Sequence, residues 1–356
     1  MTQTIRRRRS HYTPDPRKTV QLWERDLLIL EAVHRYRFLT SRHILTLIAG
    51  SSQHLLKRLR ALMDGGYLMR IRDPSPRTVN SGSRAKIYGI TNLGAVSLDT
   101  AGIVPRGRLN WTRRNAEVSD PRTGIGIKIV PHTLLVSSIM VEIERATLNS
   151  NGAVRLIDEP EILATIVPEK TRSSRRPFAW HVTVPYPRRH RMGSDGEVEV
   201  RRESRRVGVA PDRVFGLEFT HRPEGQNRLF FCLEADRAGN GNRGMPVVRA
   251  DLESSSIFKK LLAYAGTWAQ DIHRERLGIK SFQVLTITLS KERASHMAQA
   301  FKLIDEHVMA LWDKRCEARV FRFADRASAT PGRLLKYGWL NGRGTPAPLT
   351  SIPDEL

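Results

Sequence analysis

The chain has 356 residues, 40% of them hydrophobic, and 59 Lys+Arg against 36 Asp+Glu, a formal net charge of +23. That apolar share excludes a wholly disordered polycation, and no run reaches the ~18 apolar residues of a membrane span. Cys232 and Cys316 are the two cysteines, which excludes a disulfide framework and a four-thiolate zinc site.

A reduced, cytoplasmic protein is expected, with neither anchor nor signal peptide and with a polyanionic partner, nucleic acid first. Residues 1–120 hold 22 Lys+Arg against 9 Asp+Glu, so the N-terminal third is expected to make the main electrostatic contact. Residues 1–20 form a basic arm around Arg6–Arg9, either a solvated tail or a phosphate contact. From Leu22 the spacing of Leu27, Leu28, Leu30, Val33 and Tyr36 predicts a helix. Thr40-Ser41 caps a short second helix, and Ser51-Ser52 opens a third, Gln53–Asp64, which buries Leu55, Leu56, Leu59 and Leu62 and stops at Gly65-Gly66.

Strand-like runs Tyr67–Arg72 and Lys86–Ile90 flank a turn-rich loop, and Thr91-Asn92 caps a helix through Leu93, Val96 and Leu98. This order predicts a winged helix-turn-helix domain over residues 21–104, its third helix in the major groove and its hairpin on the flanking backbone. Gln53, His54, Lys57, Arg58 and Arg60 lie on or near the helix face opposite the leucines. Arg and Gln pair with base edges, while Lys suits phosphate. The hairpin adds Arg77, Arg84 and Lys86. An ordinary solvated helix face is the competing reading.

Residues 105–130, rich in Gly, Pro and Arg, read as a linker, and a second domain is expected over 131–325. It opens with a helix after Pro131-His132. Strands follow at Val154–Ile157, Ala179–Val184, Val207–Leu217 and Arg228–Leu233, interrupted by the basic stretch Pro168–Arg206, a long hairpin or a surface insertion. A helix over Ser255–Asp271, a buried strand at Phe282–Leu289 and an amphipathic helix over Lys291–Cys316 complete it. Residues 326–356 read as a loosely ordered tail.

Three segments of this domain carry acids and a lysine. Asp212 starts a strand-like run; Glu234 and Asp236 share one face at the end of an apolar strand; Lys260 and Tyr264 stand one helical turn apart. Carboxylates converging at strand ends can hold Mg²⁺, and a nearby lysine can stabilise charge on a scissile phosphate. The spacing of Pro211-Asp212 and the strand acid is that of the PD-(D/E)xK, restriction-endonuclease-like fold, an α/β domain with a mixed sheet. Catalytic candidates are therefore Asp212, Glu234 and Lys260, with Asp212, Glu234, Asp236 and Glu142 as candidate metal ligands.

The motifs His132-Thr133-Leu134-Leu135-Val136, Ala210-Pro211-Asp212, Leu233–Arg237 and Phe258–Tyr264, behind an N-terminal winged helix, resemble the replication-relaxation family of bacterial plasmids and integrative elements. The resemblance covers roughly residues 22–290 and implies a DNA-binding accessory protein with a C-terminal domain similar to restriction endonucleases. One departure stands out: Asp236 occupies the position where such nucleases carry lysine, so either Lys260 or Lys259 on the next helix replaces it, or the site is catalytically dead and the domain is kept for binding DNA or a partner. Double-stranded DNA is the expected partner, with a homodimer and mobile-element replication or relaxase proteins as further candidates. An active Mg²⁺-dependent endonuclease or nickase and a dimeric transcriptional repressor remain the alternatives.

Overall fold

The structure, a computed structural model, describes residues 20–73, 85–105, 111–120, 125–192, 197–237, 245–248, 252–312, 318–326, 334–335 and 338–349. The chain divides into two units, Met1–Val141 and Glu142–Leu356.

In the first unit, helix α1 (Glu24–Tyr36) starts where the Asp26 carboxylate accepts the Trp23 N–H at 2.9 Å. Its inner face is Ile29, Leu30, Val33 and Tyr36; Leu28, expected inward, is exposed. After β1 (Leu39–Thr40), the Thr40 hydroxyl accepts the His43 N–H at 3.2 Å and opens α2 (Ser41–Leu47). Helix α3 (Ser52–Asp64) buries Leu55, Leu59 and Leu62, whereas Leu56 faces outward beside Lys57 and Arg60. Strands β2 (Leu68–Ile71) and β3 (Ile87–Ile90) complete an antiparallel sheet of order β1-β3-β2. The loop between them, with Arg77 and Arg84, lies outside the described residues. Thr91 caps α4 (Asn92–Thr100) through the Gly94 N–H at 3.2 Å; Ala95 and Leu98 turn inward there, not Leu93 and Val96.

The stretch 105–130 differs from the linker expected there. It contains α5 (Trp111–Ser119) and the start of α6 (Ile125–Leu148), which runs straight through Pro131. Val118 and Val130 pack with Phe38, Ile71 and Ile87, and Asn115, fully buried, donates to the Ile90 carbonyl at 3.3 Å. Proline removes one helical N–H donor, but the apolar positions Ile129, Val130 and Leu134 on both sides of it bury together and outweigh that cost. The division between the units accordingly falls at Val141/Glu142.

The second unit runs β4 (Val154–Ile157), α7 (Glu159–Thr165), α8 (Glu169–Arg172), β5 (Trp180–Met192), β6 (Glu197–Val209), β7 (Arg213–Phe219) and β8 (Arg228–Ala235). It continues with α9 (Ile257–Ala269), α10 (Ile272–Leu277), β9 (Phe282–Thr288), α11 (Lys291–Trp312), β10 (Phe321–Asp325) and β11 (Leu340–Asn341). Six strands form one mixed sheet of order β11-β10-β9-β8-β7-β4, with β8, β9 and β10 parallel and the other pairs antiparallel. The mixed α/β class read from the sequence is thus the class of the fold.

The expected strand Val207–Leu217 breaks into β6 and β7 around Ala210-Pro211, because proline has no N–H for a ladder. The basic stretch before it is a long hairpin: β5 and β6 pair from Trp180↔Val209 out to Met192↔Glu197. Its root packs on α9, where a Cβ on Gly266 would stand 3.0 Å from Val182 and 3.2 Å from Val184. Residues beyond 326 are not uniformly a loose tail. Trp339 is buried and donates its indole N–H to the Leu334 carbonyl at 2.7 Å, and Leu335 and Leu349 are buried as well. Isolated large apolar residues among Gly and Pro carry no periodicity, so their burial is invisible to pattern. Among the described residues, no helix is long and apolar enough to cross a membrane.

Candidate functional site

Two places carry the residues singled out by the sequence. On α3, Gln53, His54, Lys57 and Arg60 are exposed, as is Lys86 at the foot of β3. Arg58 is engaged differently. Its guanidinium meets both oxygens of buried Asp26, at 2.9 and 2.6 Å, reaches the Gln21 carbonyl at 3.0 Å, and lies 5.7 Å from the Trp23 ring centre. The hydrogen bonds to Asp26 raise the pKa of Arg58 above its ordinary value. A depression of about 500 Å³ beside this pair is lined by Trp23, Lys57, Arg58, Arg60 and Asp64, among others. Asp26 was not singled out by the sequence; its one signal is an acid at the third position of a helix, where it can close a capping box.

The second place is the end of β8. That strand is buried from Phe230 to Ala235, which carries the Glu234 carboxylate inside with it. Ser256 caps α9 through the Lys259 N–H at 3.1 Å, and the helix sets Lys260 and Tyr264 one turn apart. The Lys260 ammonium pairs with Glu234 Oε2, and the Tyr264 hydroxyl donates to Oε1 at 2.7 Å. Asp212, just before β7, donates its N–H to the Leu233 carbonyl at 3.0 Å and accepts the Ala235 N–H on Oδ2 at 2.8 Å. Asp212, Glu234 and Lys260 are therefore brought together.

Burial raises the pKa of Glu234, with Asp212 adding to it and Lys260 and Tyr264 pulling the other way. Burial alone would lower that of Lys260, but the charges of Glu234 and Asp212 outweigh it and hold the ammonium above its ordinary value. Burial and the adjacent Glu234 keep the Tyr264 phenol protonated well beyond the usual range.

The remaining candidates go elsewhere. Asp236 receives the Arg293 guanidinium from α11 and the Thr288 hydroxyl, the latter at 3.1 Å. Lys259 donates to the Glu253 carbonyl at 3.2 Å. Among the described residues, the buried Oε2 of Glu142, on α6, has no hydrogen-bond partner, and no hydrogen bond or ion pair joins Glu142 to Glu234. Arg293 escaped sequence reasoning, its one signal being a cation in the first turn of the helix that follows a buried strand.

The donor set does not fit a divalent cation as it stands. Both Glu234 oxygens are taken by an ammonium and a phenol, both Asp236 oxygens meet Arg293, and Asp212 Oδ2 holds a backbone amide. Among the described residues, no three His, Cys, Asp or Glu side chains group as metal ligands. Lys260 supplies the positive charge that a cation would bring.

No curated protein and no solved structure matches the chain. A family model described as Replication-relaxation matches residues 30–279, a span that takes in α3 and the Asp212–Glu234–Lys260 cluster. The chain belongs to the replication-relaxation family.

Proposed function

We infer that this protein is a DNA-binding accessory protein of a mobile element, acting in its replication or mobilisation. Family membership supports the process, and the first unit supports the binding. Its first three helices, α1–α3, and its three-stranded antiparallel sheet follow the order of a winged helix, with α3 as the reading helix.

One observation carries this reading. The exposed positions of α3 hold Gln53, His54, Lys57 and Arg60, while the one acid of that helix, Asp64, and the Asp26 that pairs with its Arg58 are buried. A surface that presents donors for bases and phosphates and withdraws its carboxylates suits a polyanion.

The test is fluorescence anisotropy on duplex DNA with Lys57→Ala/Arg60→Ala beside the wild type. The double variant should bind about tenfold to a hundredfold more weakly, with the same melting midpoint. Equal affinity would remove α3 from the interface.

A further inference from the structure

Trp23 is the most exposed of the described large apolar side chains, at 65%, and it stands at the depression beside α3. A single exposed aromatic is ordinary on a protein surface. This one is held in place. Asp26 Oδ2 accepts both the Trp23 N–H, at 2.9 Å, and the Arg58 guanidinium, at 2.6 Å. One buried carboxylate thus fixes the backbone under the ring and the cation over it. Arg58 is tied further by the Gln21 carbonyl at 3.0 Å, and its guanidinium carbon stands 5.7 Å from the ring centre. A cation so placed is attracted to the indole face and restrains the ring. One guanidinium covers one face at most, so the exposed remainder of Trp23 is open to a second planar group.

The rest of the depression sorts by charge. Lys57 and Arg60, flanking Arg58 in sequence, are exposed where they line it, while Asp64, the one acid of its lining, is 4% exposed. A flat aromatic surface with cations beside it and its acid withdrawn suits a planar ring that carries a phosphate, which is the chemistry of a nucleotide. The indole and guanidinium are already stacked, so little freedom is lost when that ring arrives.

Two observations say which nucleotide. Residues 1–120 carry 22 Lys+Arg against 9 Asp+Glu, an excess that favours a long polyanion over a free nucleotide. In a paired duplex each base is stacked on both sides, so a base offers a face to a protein ring only where it is unpaired.

We propose that Trp23 is a stacking platform for an unpaired base of DNA, beside the duplex held by α3, with Lys57 and Arg60 on the neighbouring phosphates. This rests on the α3 reading and sharpens it: the preferred partner is a duplex opened over a short stretch, not a uniform one.

The experiment compares, by fluorescence anisotropy on the full chain, a duplex with a short central bubble and the fully paired duplex of the same length. Both then present the same ends. The wild type should bind the bubble about tenfold more tightly, the weight of one base stacked on an aromatic ring. In Trp23→Ala that ratio should fall to near one, and Trp23→Phe, which keeps a ring, should keep most of it. Tryptophan emission gives a second readout, quenched by the bubble in the wild type and not in Trp23→Phe. Melting midpoints check that each variant folds. A wild type that binds both duplexes alike, or a bubble preference untouched in Trp23→Ala, would overturn the proposal. So would free dAMP that quenches Trp23 as tightly as the bubble does, since the site would then serve a free nucleotide. The Lys57→Ala/Arg60→Ala variant tells the two failures apart. If it weakens binding to the paired duplex while the wild type shows no bubble preference, the α3 reading stands and this one falls; if it leaves that binding unchanged, both fall.

Discussion

Arg58 shows how one side chain can look like a DNA contact in sequence and act as a fold element in structure. It sits among Lys57 and Arg60 on a basic helix, yet it caps a carboxylate 32 residues away that has almost no exposed surface. Removing one partner of a buried pair leaves a charge without compensation, so Arg58→Ala should cost about 2–3 kcal/mol. Lys57→Ala should leave the melting midpoint unchanged, and a chemical denaturation series on the two variants checks both. Glu234 and Lys260 give a second case with a pH signature. Lys260 contributes stability that is full below the ordinary lysine value of 10.5 and is lost as pH rises through its higher folded value. Lys260→Met should therefore be destabilised at neutral pH, by about 2 kcal/mol because the lysine side chain is 42% exposed and water screens it. The raised pKa of Glu234 means that its protonated form suits the folded state. Its stability contribution is present below the ordinary 4.5 and is lost as pH rises through the folded value. The Lys260→Met deficit should thus shrink on acidification, and melting curves between neutral and mildly acid pH would reveal it. A deficit independent of pH would mean that packing of the lysine stem, not charge, is what the substitution removes.

Elements were legible where a local rule and the tertiary environment agree. Thr40 and Thr91 cap the helices that their positions announce, and the strands β4, β8 and β9 fall on the apolar runs that mark them. Helix faces were less legible. Leu28, Leu56, Leu93 and Val96 are apolar and exposed, because an amphipathic stripe wider than the contact leaves its margins outside. The helices within 105–130 hide from pattern for a related reason: glycines, prolines and arginines dominate the composition there, while burial of Asn115, Val118 and Val130 is what orders the stretch. Arg293 was illegible, since its meeting with Asp236 closes 57 residues of sequence and only the packed sheet and α11 bring the two together. At this scale Gly266 gives a test. Helix propensity favours replacing it, but a side chain there would press on Val182, Val184 and Trp312 at once. Gly266→Leu should cost about 1–3 kcal/mol by pushing the hairpin root off α9. Urea unfolding reads that cost, and an unchanged midpoint would mean that the hairpin root shifts freely.

For the whole molecule, the choice between a DNA-binding protein and a nuclease turns on how the acids of the second unit are compensated. Asp212 lies close enough to Glu234 to raise its proton affinity, and such a pair needs a cation to remain ionised. In a metal-dependent nuclease that cation is Mg²⁺, held by carboxylate oxygens that have no stronger partner. Here Lys260 and Tyr264 close on Glu234 and Arg293 closes on Asp236, so a metal would have to displace a tethered ammonium from a buried carboxylate. A ligand that binds only the folded state stabilises it by mass action. Mg²⁺ should therefore leave the wild-type melting temperature unchanged, while the protein binds supercoiled plasmid without nicking or linearising it. Lys260→Met removes the internal cation and exposes the same two acids, so in that variant Mg²⁺ or Mn²⁺ should raise the melting temperature, and Asp212→Asn added to it should abolish the rise. Wild-type protein that is stabilised by Mg²⁺ and relaxes plasmid, with both effects abolished in Asp212→Ala and Glu234→Ala, would make the second unit a nuclease and Lys260 a catalytic group instead of the charge that keeps the site closed.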